Sequence, residues 1–234
     1  MTSTPQTESD ALPVVAVGAS AGGLQALRTL LRRLPADTGA AYIVLQHLSP
    51  ESPSQLAQIL QRETKMPVRA VESRERLTPD HVHVIAPASE LVTANGWITP
   101  VEPEHLSLPP APIDRLFRTL ADASGPRAIA VVLSGTGADG SLGLKAIQEA
   151  GGVVLAQDPD EAEYAGMPAS AVATGHVDQV LAVAPLADRL VELLRRPLAA
   201  TVIFIGIRVI IGTVEVDESV KYVTDGVLVT LAML

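Results

Sequence analysis

The sequence predicts a doubly wound α/β fold, three-layer α/β/α, with a mainly parallel sheet. Two observations carry that prediction. Over residues 12–196, near-continuous apolar runs rich in β-branched residues alternate with amphipathic stretches, as expected of strands covered on both faces by helices. Several of those runs break at their ends into Gly-rich turns that open a helix. At 234 residues and 47% hydrophobic composition the chain has enough material for one sizeable core.

Residues 1–11 are polar and acidic, and are expected to be a disordered N-terminal segment; they have neither the basic region nor the apolar region of a signal peptide. Strands are then expected at VVAV (14–17), AYIVLQ (41–46), RAIAVVLS (127–134), GVVLAQ (152–157) and DQVLAV (178–183). The amphipathic stretches 24–34, 53–63, 112–122, 141–150, 168–174 and 184–196 are expected to be helices. Between them, HVHVIAPASELVTANGWITP (81–100) places alternating runs around Asn95-Gly96, which predicts a small antiparallel hairpin excursion. Pro197 ends the last helix, and residues 197–234 form a β-rich C-terminal appendage of unknown role with an Asp225-Gly226 turn signal. The longest apolar stretch, 198–211, falls short of the ~18 residues of a membrane span and carries Arg208. A soluble cytoplasmic protein without membrane insertion is the expectation.

Composition removes several classes of function. A net charge of −9 argues against nucleic acid as a partner, which would need a clustered basic face. Aromatic residues make up 3% of the chain, leaving little for base stacking. With no Cys there is no disulfide, no thiolate metal site and no Cys nucleophile.

VGASAGGLQAL (17–27) poses the functional question. Gly18, Gly22 and Gly23 lie between a strand and a helix N-terminus, where backbone N–H groups favour anions. Their spacing is G-x-x-x-G-G rather than G-x-G-x-x-G, and the second strand ends in Gln46-His47 instead of an acidic residue. The glycines also fit short-chain dehydrogenases, which need Tyr-x-x-x-Lys. Tyr42, Tyr164 and Tyr222 are followed four residues on by Gln46, Pro168 and Gly226, so that reading fails.

The same stretch fits G-x-S-x-G around Ser20, where small neighbours let a serine sit on a sharp strand-to-helix turn. The helix N-terminus then offers N–H groups to an oxyanion. A serine capping a helix is the ordinary alternative. His47, at the end of the second strand, falls on the same C-terminal rim of the sheet as Ser20. Asp139 reaches that rim in VVLSGTGADGSLGL (131–144). His47 as a loop histidine and Asp139 as a cap of the helix from Ser141 are each reasonable singly; all three at strand ends suggest a hydrolytic set. The order Ser…His…Asp, with the serine after the first strand, excludes an α/β-hydrolase.

These segments, with HVHVIAP, PIDRLF, LAQDPDEAEYAGMP and ATGHVDQVL, make residues 12–196 similar to the catalytic domain of the chemotaxis receptor protein-glutamate methylesterases, the CheB type. The resemblance implies a serine hydrolase that removes methyl esters from glutamyl side chains on the cytoplasmic helices of chemoreceptors or related signalling proteins. Methanol is released, and receptor glutamine is deamidated as a further activity. It implies no cofactor and no metal. It assigns Ser20 as nucleophile, His47 as general base and then acid, Asp139 as orienting carboxylate, and the backbone amides of Ala21 and Thr136 as oxyanion donors. ASAGG, SGTGADG and the absence of arginines from EHLSLPP are closer to the variety fused to methyltransferase and sensor-kinase modules, which makes a methyltransferase domain an implied partner. A receiver domain is not expected ahead of the α/β region, which residues 1–11 alone precede. The alternative from another class is a catalytically silent partner-binding module of a signalling protein; the intact Ser, His and Asp favour the enzyme.

Other polar residues are assigned no chemistry. His81 and His83 alternate on a strand and are read as surface or packing residues rather than a metal pair. His105 lies in a Pro-rich loop, and His176 ends a helix where it can meet last-turn carbonyls. Met167-Pro168 resembles a family segment near the active site. The acidic run 158–163 reads as a solvated loop.

Overall fold

The computed structural model describes residues 12–47, 55–86, 89–102 and 111–195. The expected N-terminal segment 1–11, the tail 197–234 and His105 lie outside the described residues. In chain order the first half comprises β1 (Val14–Ala19), α1 (Gly23–Arg33), β2 (Ala41–Gln46), α2 (Leu56–Gln61), β3 (Val68–Val71), β4 (Glu75–Arg76), β5 (Val82–Ile85), β6 (Glu90–Ala94) and β7 (Trp97–Val101). It continues with α3 (Pro112–Ser124), β8 (Ala128–Val132), α4 (Leu144–Glu149), β9 (Val153–Gln157), α5 (Gly166–Ala173) and β10 (Gln179–Leu181), then α6 over 183–195.

Among the described residues the main sheet has seven strands in the order β10-β9-β8-β1-β2-β5-β3, and every pairing in it is parallel. Side chains alternate between two cores, as the period of a strand requires. Val15, Val17 and Ala19 of β1 join Tyr42 and Val44 of β2 against α1, α2 and α6. Val14 and Ala16 join Ala41, Ile43 and Leu45 against α3, α4, α5 and the small second sheet. In α1 the buried positions Gly23, Ala26, Leu27, Leu30 and Leu31 recur at helical spacing, while Arg32 and Arg33 stand in the last turn, where they favour the negative end of the helix dipole. In α3, Pro112 opens the helix, where its missing N–H costs nothing, and Ile113, Leu116, Phe117 and Leu120 form the buried stripe.

The hairpin predicted around Asn95-Gly96 is β6 and β7, and both turn residues have positive φ (51° and 77°), the conformation of a two-residue turn that matches strand twist. The expected excursion is narrower than its segment. Residues 82–85 pair in parallel with β2 as an interior strand of the main sheet, and β4 completes the small sheet beside β7. The edge strand β3 is not evident in the sequence because VRAV is short and mostly half-exposed, with no clear alternation. The helix expected from Ser141 begins at Leu144, after a turn over 141–143.

Candidate active site

β1 lies between β2 and β8. The chain leaves β1 toward β2 on one side and returns to β8 on the other, so the strand order reverses at the carboxyl end of β1. In open α/β sheets that crevice is where ligands bind. The last paired residues of β1 and β2 are Ala19 and Gln46, so Ser20 and His47 are the next residue on each strand. The His47 N–H donates to the Ala19 carbonyl (3.1 Å) and the Ser20 N–H to the Ser134 carbonyl (3.0 Å), which holds the ends of β1, β2 and β8 together.

Ser20 does not cap α1. The N-cap is Gly22, in a left-handed conformation (φ 69°), with no side-chain capping bond. A Cβ there would also stand 2.8 Å from Ser134 Oγ, so glycine meets both a conformational and a spatial demand. Ser20 is 9% exposed, and among the described residues its hydroxyl takes no hydrogen-bond partner.

Asp139 and His47 meet directly. His47 Nε2 lies 2.9 Å from Asp139 Oδ2, with side-chain exposures of 35% and 8%. A carboxylate only accepts, so Nε2 carries the proton of that bond and Nδ1 is left with a lone pair in the neutral ring. Asp139 does not cap the helix after it. Its carboxylate accepts the N–H groups of Ile113 and Asp114, each at 3.0 Å, in the first turn of α3. Ala111, the N-cap of α3, offers no side-chain acceptor, so Asp139, which is 25 residues beyond Asp114 in sequence, fills the place. Three donors and a helix N-terminus stabilise this buried carboxylate and fix it in orientation.

Backbone donors stand open nearby. Among the described residues neither the Ala21 nor the Thr136 N–H has a hydrogen-bond acceptor. The loop bearing Thr136 is held by Gly135, whose N–H donates to the Tyr164 carbonyl (3.0 Å) and whose carbonyl accepts from Met167 N–H (2.8 Å). Met167 is fully buried; a Cβ on Gly135 would lie 2.1 Å from its Sδ and 2.9 Å from the Ser20 Cβ. Met167 and Gly135 therefore form the packing behind Ser20. Ser134 Oγ donates to the Ala21 carbonyl and accepts from Tyr164 N–H, both at 3.0 Å, stitching the serine turn to the same loop. That stitch is not evident in the sequence, because Ser134 reads there only as the end of a strand.

Remaining polar residues fall elsewhere. His83 is fully buried on β5, its Nδ1 2.6 Å from Glu75 Oε1 and its Nε2 accepting from Thr78 N–H (3.4 Å). Burial holds its pKa below the ordinary histidine range despite the Glu75 carboxylate. The rings of His81 and His83 stack with centroids 6.5 Å apart. His176 bonds Gln148 Oε1 (2.7 Å) rather than helix carbonyls. Tyr42 is a core residue whose hydroxyl donates to Thr38 Oγ1, and burial pushes its pKa up to about 12. In the acidic loop, Glu161 accepts from Gln157 and from Val183 N–H. Gln46 carries no sequence signal of its own; its Nε2 reaches the Ser20 carbonyl (3.5 Å), and its buried Oε1 has no partner among the described residues. Among the described residues there is no cluster of metal-ligating side chains and no helix long and apolar enough to cross a membrane.

A family model described as CheB methylesterase matches residues 15–190. The crystallised CheB methylesterase catalytic domain of Thermotoga maritima superposes with a TM-score of 0.73 at 28% identity, over 78% of this chain and 99% of that one. Protein-glutamate methylesterase/protein-glutamine glutaminase 4 of Burkholderia thailandensis is 38% identical, over 79% of this chain and 54% of that protein. An uncharacterized 104.1 kDa protein of Rhodobacter capsulatus is 43% identical over 61% of this chain, but the match is only 15% of its length. The chain thus spans about half of the Burkholderia relative's length and far less of the Rhodobacter one's.

Proposed function

The chain belongs to the CheB methylesterase family, and from that premise we propose that its site hydrolyses glutamyl methyl esters with Ser20 as nucleophile. The observation that carries this reading is the bond between His47 Nε2 and Asp139, beside a serine whose hydroxyl is not consumed by a helix cap. Asp139 holds the imidazole with its proton on Nε2, so Nδ1 takes the Ser20 proton as Oγ attacks the ester carbonyl. The oxyanion of the tetrahedral intermediate is received by the Ala21 and Thr136 N–H groups. Methanol leaves with the proton from His47. Water, deprotonated by the same nitrogen, then attacks the acyl-enzyme and frees the glutamate carboxylate and Ser20. An amide in place of the ester releases ammonia by the same steps, which gives glutamine deamidation as the companion activity.

The substrates in this reading are methylated cytoplasmic helices of chemoreceptors or related signalling proteins. ASAGG and SGTGADG extend it to a methyltransferase domain as partner. The hydrolase domain is residues 12–196. Mass spectrometry of a receptor-derived peptide carrying a glutamyl methyl ester tests the reaction. Conversion to the free acid with methanol release is expected; an unchanged ester over a range of such peptides contradicts it.

A further inference from the structure

Asp114, a buried acid in the first turn of α3, lies in the PIDRLF segment but is given no role by the site assignments above. It is 4% exposed, and its backbone N–H donates to the proposed catalytic carboxylate. Its Oδ1 accepts the Gly143 N–H at 2.7 Å. The arrangement is reciprocal. Asp139, in the turn, accepts the N–H groups of Ile113 and Asp114 on the helix. Asp114, on the helix, accepts the Gly143 N–H at the end of the same turn. Two carboxylates, one in the turn and one on the helix, each accept backbone N–H from the other segment and so close a ring of hydrogen bonds between α3 and residues 139–143.

We propose that Asp114 is a positioning residue for the reaction, clamping the 139–143 turn onto α3 and so setting Asp139 and the His47 ring bonded to it. The turn lies flush on the helix: a Cβ on Gly143 would stand 2.9 Å from the Asp114 carbonyl oxygen and 2.7 Å from Phe117 Cβ. Such contact leaves no room for the turn to slide while the clamp is closed. Ordinary capping of α4 would leave Asp139 indifferent to Asp114, yet here the Asp114 N–H is itself a donor to Asp139. Burial, and then the charge of Asp139, hold the Asp114 carboxyl above the usual carboxylate range, so the ionised clamp is not there for charge stabilisation of the fold. A neutral acceptor of the same shape can make the Gly143 bond. The alanine variant cannot, and it leaves the buried Gly143 N–H without its acceptor.

The kinetic arm of the test rests on the methylesterase reading; the spectroscopic arm does not. Asp114→Ala and Asp114→Asn are compared with the wild type for ester turnover and for the low-field proton resonance of His47 Nε2–H against Asp139. Asp114→Ala is expected to lose or broaden that resonance and to lower kcat by up to ~10²-fold, the size of effect that misplaced catalytic groups produce, with KM little changed. Asp114→Asn is expected to restore both. If Asp114→Ala does not accumulate as folded protein, Asp114→Ser replaces it with the same expected outcomes. An unaltered resonance and turnover in the alanine or serine variant overturns the proposal, as does an asparagine variant as impaired as alanine. A wild type without esterase activity overturns the methylesterase reading, and the resonance still decides the clamp.

Discussion

His47 and Asp139 are 92 residues apart in the chain, yet Nε2 and Oδ2 stand 2.9 Å apart at the rim of the sheet. Parallel strands bring this about: β1, β2 and β8 all end at one edge, and the loops that leave them meet there. The aspartate arrives already tied to α3, so the imidazole meets a carboxylate fixed before substrate enters.

Asp139→Asn keeps a carbonyl oxygen for one of the two α3 amides but cannot hold a proton on His47 Nε2 as a carboxylate does. We expect a folded protein with kcat lowered by ~10⁴, the loss seen when an orienting aspartate becomes asparagine in serine proteases. Steady-state kinetics with circular dichroism as the control for folding checks this. A loss under tenfold contradicts the assignment.

Gly135→Ala brings a methyl group onto Met167 Sδ and toward Ser20. Overpacking of this kind costs about 1–3 kcal/mol, and here it also displaces the proposed nucleophile. The expected result is a lower kcat together with a lower melting temperature. Met167→Ala, which opens the space the methyl needs, should restore part of the kcat lost by Gly135→Ala. A double-mutant cycle with no coupling contradicts the packing account.

His83 makes stability pH-dependent. Its folded pKa is depressed by burial, so below the ordinary histidine range the unfolded chain binds a proton that the folded chain refuses. Stability is therefore lost as the pH falls. Between pH 7 and 5 the loss from this residue is at most about 2 kcal/mol. Urea unfolding of the wild type and His83→Gln at both pH values measures it, and the variant should show the smaller loss. Asp114, whose carboxyl is raised, titrates in the opposite sense and is present in both proteins, so their difference isolates His83. Equal losses contradict the prediction.

The parallel sheet and the rim residues are legible in the sequence because apolar strands ending in Gly-rich turns are a local pattern. Ser20, His47 and Asp139 each come after such a strand. What each side chain does once there depends on long-range packing. The sequence offers Ser20 as a helix cap and Asp139 as the cap of the helix after it; the structure puts Gly22 at the first place and α3 under Asp139. Asp114 reads locally as an ordinary acid near a helix start, where it favours the dipole. Its bond to Gly143 exists only because α3 and the turn are pressed together. β5 reads as part of the hairpin because HVHVI alternates, whereas its histidine is buried between the two sheets with Glu75 as partner.

The most direct test of the central claim compares the wild type and Ser20→Ala on a peptide bearing a glutamyl methyl ester, with methanol release as the readout. The small change leaves the strand-to-helix turn and its backbone bonds in place. Loss of the nucleophile in such a triad costs on the order of 10⁶ in kcat, so the variant should keep only the ~10³–10⁴-fold acceleration over water that oxyanion donors and binding supply. Ester hydrolysis by Ser20→Ala at the wild-type rate would contradict the account.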